Sequence, residues 1–515
     1  MTAFLLRTVS FGRWLLLSAA ICLAMGCPPP SNNPPEEDNN FTWARRMGSP
    51  LADSAMDVSM DAGGNATVVG VYQSFAQFAG SSNTSRTLSA KGGDDIFVAR
   101  YNPDGALTWL KSAGGTSPET PYAVASLANG GAVVTGCFEG SAVFGDFEVN
   151  RTVLSSNGGQ DGFIAFYKAD GTLFWARQFG GEGNDCGLGI AIHTDGTIYV
   201  TGYYEDGAVF GAGGANRATL GSAGGTDIFV ARYFSFAELS WVKPAGGEKD
   251  DMGSDVKILA DASCVVTGSY QNAAIFGDME SRRTLLQAVQ TKQGDETPNE
   301  DAFLARFNSF GFLEWAVGSG GTGMDRGNAV AIVDKDSFLM AGSFQGTGRF
   351  GANTIYTQFI YSAGGDDAYI ARFNSLGHLQ WVRRAGGSGA DAAYDIARLD
   401  NGEFMLTGIF SGSAVFDPEF NKVMRPISRG QTDVFVARYT STGHLHWLQT
   451  AGGTGADTAR AIAADPATAS ARVAGQFELS AQFGRNGMNE ANLVSQGFTD
   501  GYLARYDEAP SNPAN

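Results

Sequence analysis

Tryptophan recurs along this chain at a nearly fixed interval. Trp43, Trp109, Trp175, Trp241, Trp315, Trp381 and Trp447 follow one another at steps of 66, 66, 66, 74, 66 and 66 residues. A regular period means one supersecondary unit, copied and stacked, because a single copy cannot bury its own apolar face. Other residues keep the same phase. An apolar residue lies two before each Trp, from Phe41 and Leu107 through to Leu445. Ten after it stands an acid: Asp53, Glu119, Asp185, Asp251, Asp325, Asp391 and Asp457. Glycine follows, often as V-T-G, at Gly70, Gly136, Gly202, Gly268, Gly342, Gly408 and Gly475. Next come the phenylalanine of A-x-F-G (Phe78 to Phe483) and the aspartate opening D-x-[FY]-x-A-R-[YF] (Asp95 to Asp500).

Each unit reads as β-structure. DIFVARYNPDGALTW alternates apolar residues around Pro-Asp-Gly, and GIAIHTDGTIYVTG does so around Asp-Gly. Both are hairpin signals, so a unit holds four strands. Seven such sheets set radially make an all-β, seven-bladed β-propeller. The chain begins its repeats at Phe41-Thr-Trp43, a last strand without its partner, and ends them at Asp500–Tyr506, the partner without a sequel. Pairing of these two would close the ring and leave only short sheet edges.

V-T-G, A-x-F-G, GG-x-D-x-F-x-A-R-Y and G-x-L-x-W resemble the repeats of the SBBP-type bacterial β-propeller family over residues 41–507. The resemblance implies a propeller fold in an exported, lipoprotein-like bacterial protein, and no settled activity. WD and kelch signatures are absent.

The ends of the chain carry different information. Arg7 and Arg13 precede an apolar run, Trp14 to Met25, that is too short to span a bilayer as a helix of ~20 residues. Leu23-Ala-Met-Gly-Cys27 follows it, which resembles a lipoprotein signal (1–26) with Cys27 as the lipidated residue. Residues 27–40 are rich in proline and acids and read as a stiff tether. Residues 508–515 read as a disordered tail. Pro28 is not the aspartate associated with inner-membrane retention, so the outer membrane is the expected site. Removing the signal leaves 33 Lys and Arg (35 less Arg7 and Arg13) against 53 Asp and Glu. That acidity opposes nucleic acid as a partner. With Cys137, Cys186 and Cys264 at unlike positions of the repeat, no disulfide framework is expected.

GGEGND, GGSGAD and GGTGAD resemble the start of a calcium nonapeptide or a phosphate loop. Calcium nonapeptides work in tandem, and these copies stand whole units apart. A phosphate loop needs a helix behind it, and here a strand pattern follows. The segments are therefore expected to be tight turns, with aspartate bonding backbone N–H groups.

Function in a repeat protein should show as departure from the repeat. On the strand after each acidic turn, Asp57, Asp255 and Asp395 replace small residues, and Lys257 stands where other copies have alanine or serine. These four are the ligand-binding candidates, facing a central channel. The fourth unit carries an insertion at 287–299 between its second and third strands. His444 and His446 form a pair without a third ligand, too little for a metal site. No nucleophile–base pair or P-loop appears. The expectation is a monomeric, non-enzymatic binding or scaffold module for a protein or glycan. It meets the membrane only through its lipid anchor and has no cofactor beyond calcium. The alternatives are a polysaccharide-directed hydrolase or lyase with its site at the channel mouth, and a purely structural envelope protein.

Overall fold

Apolar alternation in the first repeat becomes four antiparallel strands, Ser54–Met60, Ala66–Tyr72, Asp95–Tyr101 and Leu107–Gly115, paired in that order in a computed structural model. The structure describes residues 40–81, 84–278, 280–289, 299–351, 356–418, 422–485 and 489–507. The expected signal, Cys27, nearly all of the tether, the tail and residues 290–298 of the insertion lie outside the described residues. Among the described residues all regular structure is β-strand and there is no helix.

The same four-strand order recurs, with inner strands at Glu119–Ser126, Cys186–Ile192, Asp251–Ile258, Arg326–Asp334, Ala392–Arg398 and Thr458–Ala464. The last unit takes its fourth strand from the start of the chain. Phe41–Gly48 pairs antiparallel with Ala491–Tyr506, Phe41 opposite Tyr506 and Met47 opposite Gly501. This is the pairing that the register of the repeat implies. The A-x-F-G segments have a role that the hairpin reading does not assign them. In the first unit Phe75–Phe78 leaves the four-stranded sheet and pairs with Met47 and Gly48 of the preceding outer strand. Equivalent segments strap the other boundaries, as where Val143 and Ala142 pair with Gly114 and Gly115.

Tryptophan joins each unit to the next. Trp109, Trp175 and Trp447 are buried. The indole N–H of Trp109 donates to Ala169 O at 3.1 Å, that of Trp175 to Ser235 O at 3.0 Å, and that of Trp315 to Ser375 O at 2.9 Å. Each acceptor sits in the turn between the third and fourth strands of the following unit. Gly171 and Gly377, at positive φ in these turns, lie so close to the rings of Trp109 and Trp315 that a Cβ would strike them. Trp43 makes the same bond, 3.3 Å to Pro103 O of the first unit. Seven apolar clusters lie among the described residues, each drawing on two units. One joins Trp43, Ala461 and Leu503 to Val58, Tyr72 and Phe97.

The Gly-Gly-x-x-x-Asp segments are turns, as expected. Asp185 Oδ2 accepts from Gly181 N at 2.7 Å, and Asp325 accepts from Gly321 N at 2.6 Å and Gln345 N at 3.0 Å. Beside each buried acid lies the aspartate that opens D-x-F-x-A-R. At Gly180 a Cβ would meet Asp161 Oδ1 at 2.9 Å and Asp185 Oδ2 at 2.8 Å, so only glycine fits between the two carboxyls. Burial pushes these acids up, and the neighbouring carboxyl adds to the shift in most pairs. Asp95 and Asp161 rise to about 6, Asp185 and Asp457 to about 7, and Glu119, Asp251 and Asp301 to about 8.

One expectation is corrected. Cys137 and Cys186 form a disulfide, with Cα atoms 4.8 Å apart, and among the described residues Cys264 alone is free, and buried. The two look unrelated within a single repeat. Cys137 lies on the second strand of its unit and Cys186 opens the inner strand of the next, and the unit boundary brings those places together.

Two outcomes follow. The raised carboxyls keep protons in the folded chain that the unfolded chain has already released. Their stabilisation is complete below the unfolded value near 4 and is lost as pH rises through about 6 to 8. Melting temperature, followed by circular dichroism, should therefore fall by several degrees between pH 5 and pH 8. Cys137→Ser should cost on the order of 4 kcal/mol in the chain-entropy account of a loop of 49 residues. A reductant should reproduce the drop in the wild-type protein and leave the variant unmoved.

Candidate functional site

The seven inner strands line a common cavity of about 560 Å³, within the range of roughly 300–1,000 Å³ typical of ligand pockets. Each strand reaches it with the same irregularity. In the first unit Ala55 pairs with Gly70 and Asp57 with Val69, so Met56 is left over as a β-bulge. The bulge recurs in every unit and leaves over Tyr122, Leu188, Ser254, Asn328, Tyr394 and Arg460. A bulge re-aims a side chain, and all seven of these residues line the cavity. The glycine of V-T-G makes the bulge possible. At Gly136 the space of a Cβ is occupied by Thr120 O, and at Gly475 by Thr458 O.

Asp57, Asp255, Lys257 and Asp395 line this same cavity. The structure brings them together and also shows what occupies them. Asp57 accepts from Val58 N at 2.7 Å and from Val124 N, on the next inner strand, at 2.6 Å. Asp255 does so with Val256 N at 2.8 Å and Val330 N at 3.0 Å. Asp395 takes Ile396 N and Ile462 N, both at 2.7 Å. Each aspartate thus clamps its own inner strand to the following one. Lys257 Nζ holds Asp255 at 2.7 Å and 2.8 Å. Burial, then the neighbouring negative charge, pushes the Asp57 carboxyl well above its usual range. Asp395 rises to about 7 by burial, against the pull of Lys257.

Among the described residues no three His, Cys, Asp or Glu side chains are arranged to hold a metal ion. His193 faces Asp195 at 3.0 Å and His446 faces Glu403 at 3.9 Å, in separate units.

The bulged residues are what sequence reasoning missed. From unit to unit their chemistry varies, with only the phenol recurring: thioether, phenol, alkyl, hydroxyl, amide, phenol, guanidinium. Tyr122 is 37% exposed to the cavity side of the chain. Arg460 is half-buried, and desolvation lowers its pKa against the opposing effect of Tyr394 and Tyr122. The signal was the in-phase glycine, which marks a close approach of backbone inside a strand.

No protein-family model matches the chain. It is 21% identical over 529 residues to an uncharacterized WD repeat-containing protein, L264, of Acanthamoeba polyphaga mimivirus, across 90% of this chain and 38% of that protein. It is 26% identical over 171 residues to the regulatory protein FlaEY of Caulobacter vibrioides, across 33% of this chain and 16% of that one. The chain thus spans well under half the length of these curated relatives. A solved structure of a eukaryotic initiation factor aligns with 89% of this chain and 98% of its own at 8% identity, with a TM-score of 0.30. The repeated all-β units and the similarity to a WD repeat-containing protein fit a repeat propeller, a fold suited to binding or scaffolding.

Frame and site should separate on mutation. Asp57→Ala strips acceptors from two N–H groups and should cost about 1–3 kcal/mol in urea unfolding. Ser254→Ala, at a bulge, should stay within about 0.5 kcal/mol. Equal losses would show that the bulged residues also hold the fold.

Proposed function

We propose that this protein is a closed seven-bladed β-propeller of the SBBP type. It is exported and lipid-anchored through Cys27 in a bacterial envelope, most naturally the outer membrane, and serves as a monomeric binding module for a glycan. The observation that carries the reading is the contrast at the axis. Seven repeated strands present side chains of six different types to one cavity. A frame needs identical parts, so chemistry that differs unit by unit has been freed from construction and is available for recognition.

Closure is supported by the pairing of Phe41–Gly48 with Ala491–Tyr506 and by the bond from Trp43 to Pro103. The apolar cluster shared by the last and first units supports it too. Export is supported by the disulfide, since such bonds persist in oxidising compartments. Asp57, Asp255, Lys257 and Asp395 form the polar wall of the proposed site, with calcium as the cation to test there.

A thermal melt across a glycan panel, with and without calcium, tests the binding role. The expected result is a shift with a small group of glycans that is lost in Tyr122→Ala. A melt that no glycan moves would overturn it, and turnover of a bound glycan would replace binding by hydrolase or lyase chemistry. Cys27→Ser should move the protein from the membrane to the soluble fraction. Unchanged fractionation would overturn the lipid anchor.

A further inference from the structure

Arg460 is the unusual group at the axis. Its Nε is buried without a hydrogen-bond partner, and the one bond recorded for its guanidinium is 3.5 Å to Gln476 Oε1. Among the described residues no carboxylate pairs with it. The contrast is with Lys257 on the same cavity wall, which Asp255 neutralises at 2.7 Å. A buried cation without a counter-ion is costly, and a partner that supplies one recovers that cost. Nothing in the frame requires a base here, because the equivalent residues in other units include Met56, Leu188 and Ser254.

The surroundings narrow the anion. Tyr394, from the neighbouring unit, and Tyr122 line the same cavity as Arg460, and both oppose the lowering of its pKa by desolvation. Their flat faces suit the apolar face of a sugar ring, and their hydroxyls suit its polar edge. Asn328 donates Nδ2 to Ala393 O at 2.8 Å, which leaves its Oδ1 to accept from a ligand hydroxyl. A guanidinium engages a carboxylate in two parallel bonds. Asp57, Asp255 and Asp395 line the same cavity alongside Lys257, Arg398 and Arg460, and the flat tyrosine rings favour a sugar carboxylate over inorganic phosphate.

We infer that the cavity mouth binds an acidic saccharide, with the sugar carboxylate on Arg460 and the ring against Tyr122 and Tyr394. This rests on the binding role proposed for the mouth and names its ligand class.

Titration calorimetry on the purified full-length protein tests it, with galacturonate, trigalacturonate, galactose, acetate and inorganic phosphate as probes. Trigalacturonate or galacturonate should bind at least about tenfold more tightly than galactose or acetate. Arg460→Gln should lose about that factor with an unchanged melting temperature. Tyr394→Ala should weaken binding and Tyr394→Phe should preserve it. The inference fails if neither uronate binds at about 10 mM, an affinity below useful recognition, or if Arg460→Gln binds as the parent does. It also fails if acetate or phosphate binds as well as the uronates, because the site is then a simple anion site. If galactose binds as well as galacturonate, this inference falls while the glycan reading of the mouth stands.

Discussion

An indole reaching across a unit boundary is the contact on which the rest of this structure depends. Each four-stranded unit is too small to bury its own faces, and the apolar clusters lie between units rather than within them. The tryptophan fills that space, and Trp43, Trp109, Trp175, Trp241 and Trp315 donate their N–H to a carbonyl in the next unit's turn, whereas the buried Trp447 N–H does not. Where it forms, the bond sets how one unit sits on the next as well as adding to stability. Repetition of one contact makes the architecture quasi-periodic, and Trp43, on the strand that pairs with Ala491–Tyr506, applies the same contact to the first unit.

The second constraint works at the axis. Strands converging on a common cavity crowd one another, and a bulge in each relieves the ladder and turns one side chain inward. The V-T-G glycine pairs opposite the bulge and accommodates the displaced carbonyl. One device thus serves fold and site together. The glycine must be constant, whereas the bulged residue is free to vary, as Tyr122, Ser254 and Arg460 do. The aspartates that looked most like ligands serve partly as masonry. Asp57, Asp255 and Asp395 each tie two inner strands by backbone N–H groups.

Much of the frame was legible in the sequence. Tryptophan spacing gave the repeat, turn residues gave the hairpins, and the chain ends gave the pairing of Phe41–Gly48 with Ala491–Tyr506. What was not legible depends on geometry across a boundary. Cys137 and Cys186 occupy unlike places in the repeat, and only the packing of one unit on the next brings them together. The period marked A-x-F-G without giving it a structural role, and it straps the preceding unit, because its partner lies in a different copy. The bulged residues escaped notice because one extra residue in a strand leaves no mark on its apolar pattern. Asp57, Asp255, Lys257 and Asp395 line one cavity, but their bonds could not be read from spacing.

Hydrogen exchange at the two chain ends tests the account most directly, because the tryptophan contact between units must also hold where the chain's first strand joins its last unit. Amides of Phe41–Gly48 should be protected as strongly as those of Leu107–Gly115, the equivalent strand of the first unit. Exchange of Phe41–Gly48 within seconds, with Leu107–Gly115 still protected, would contradict it and show that the seven units form an open array.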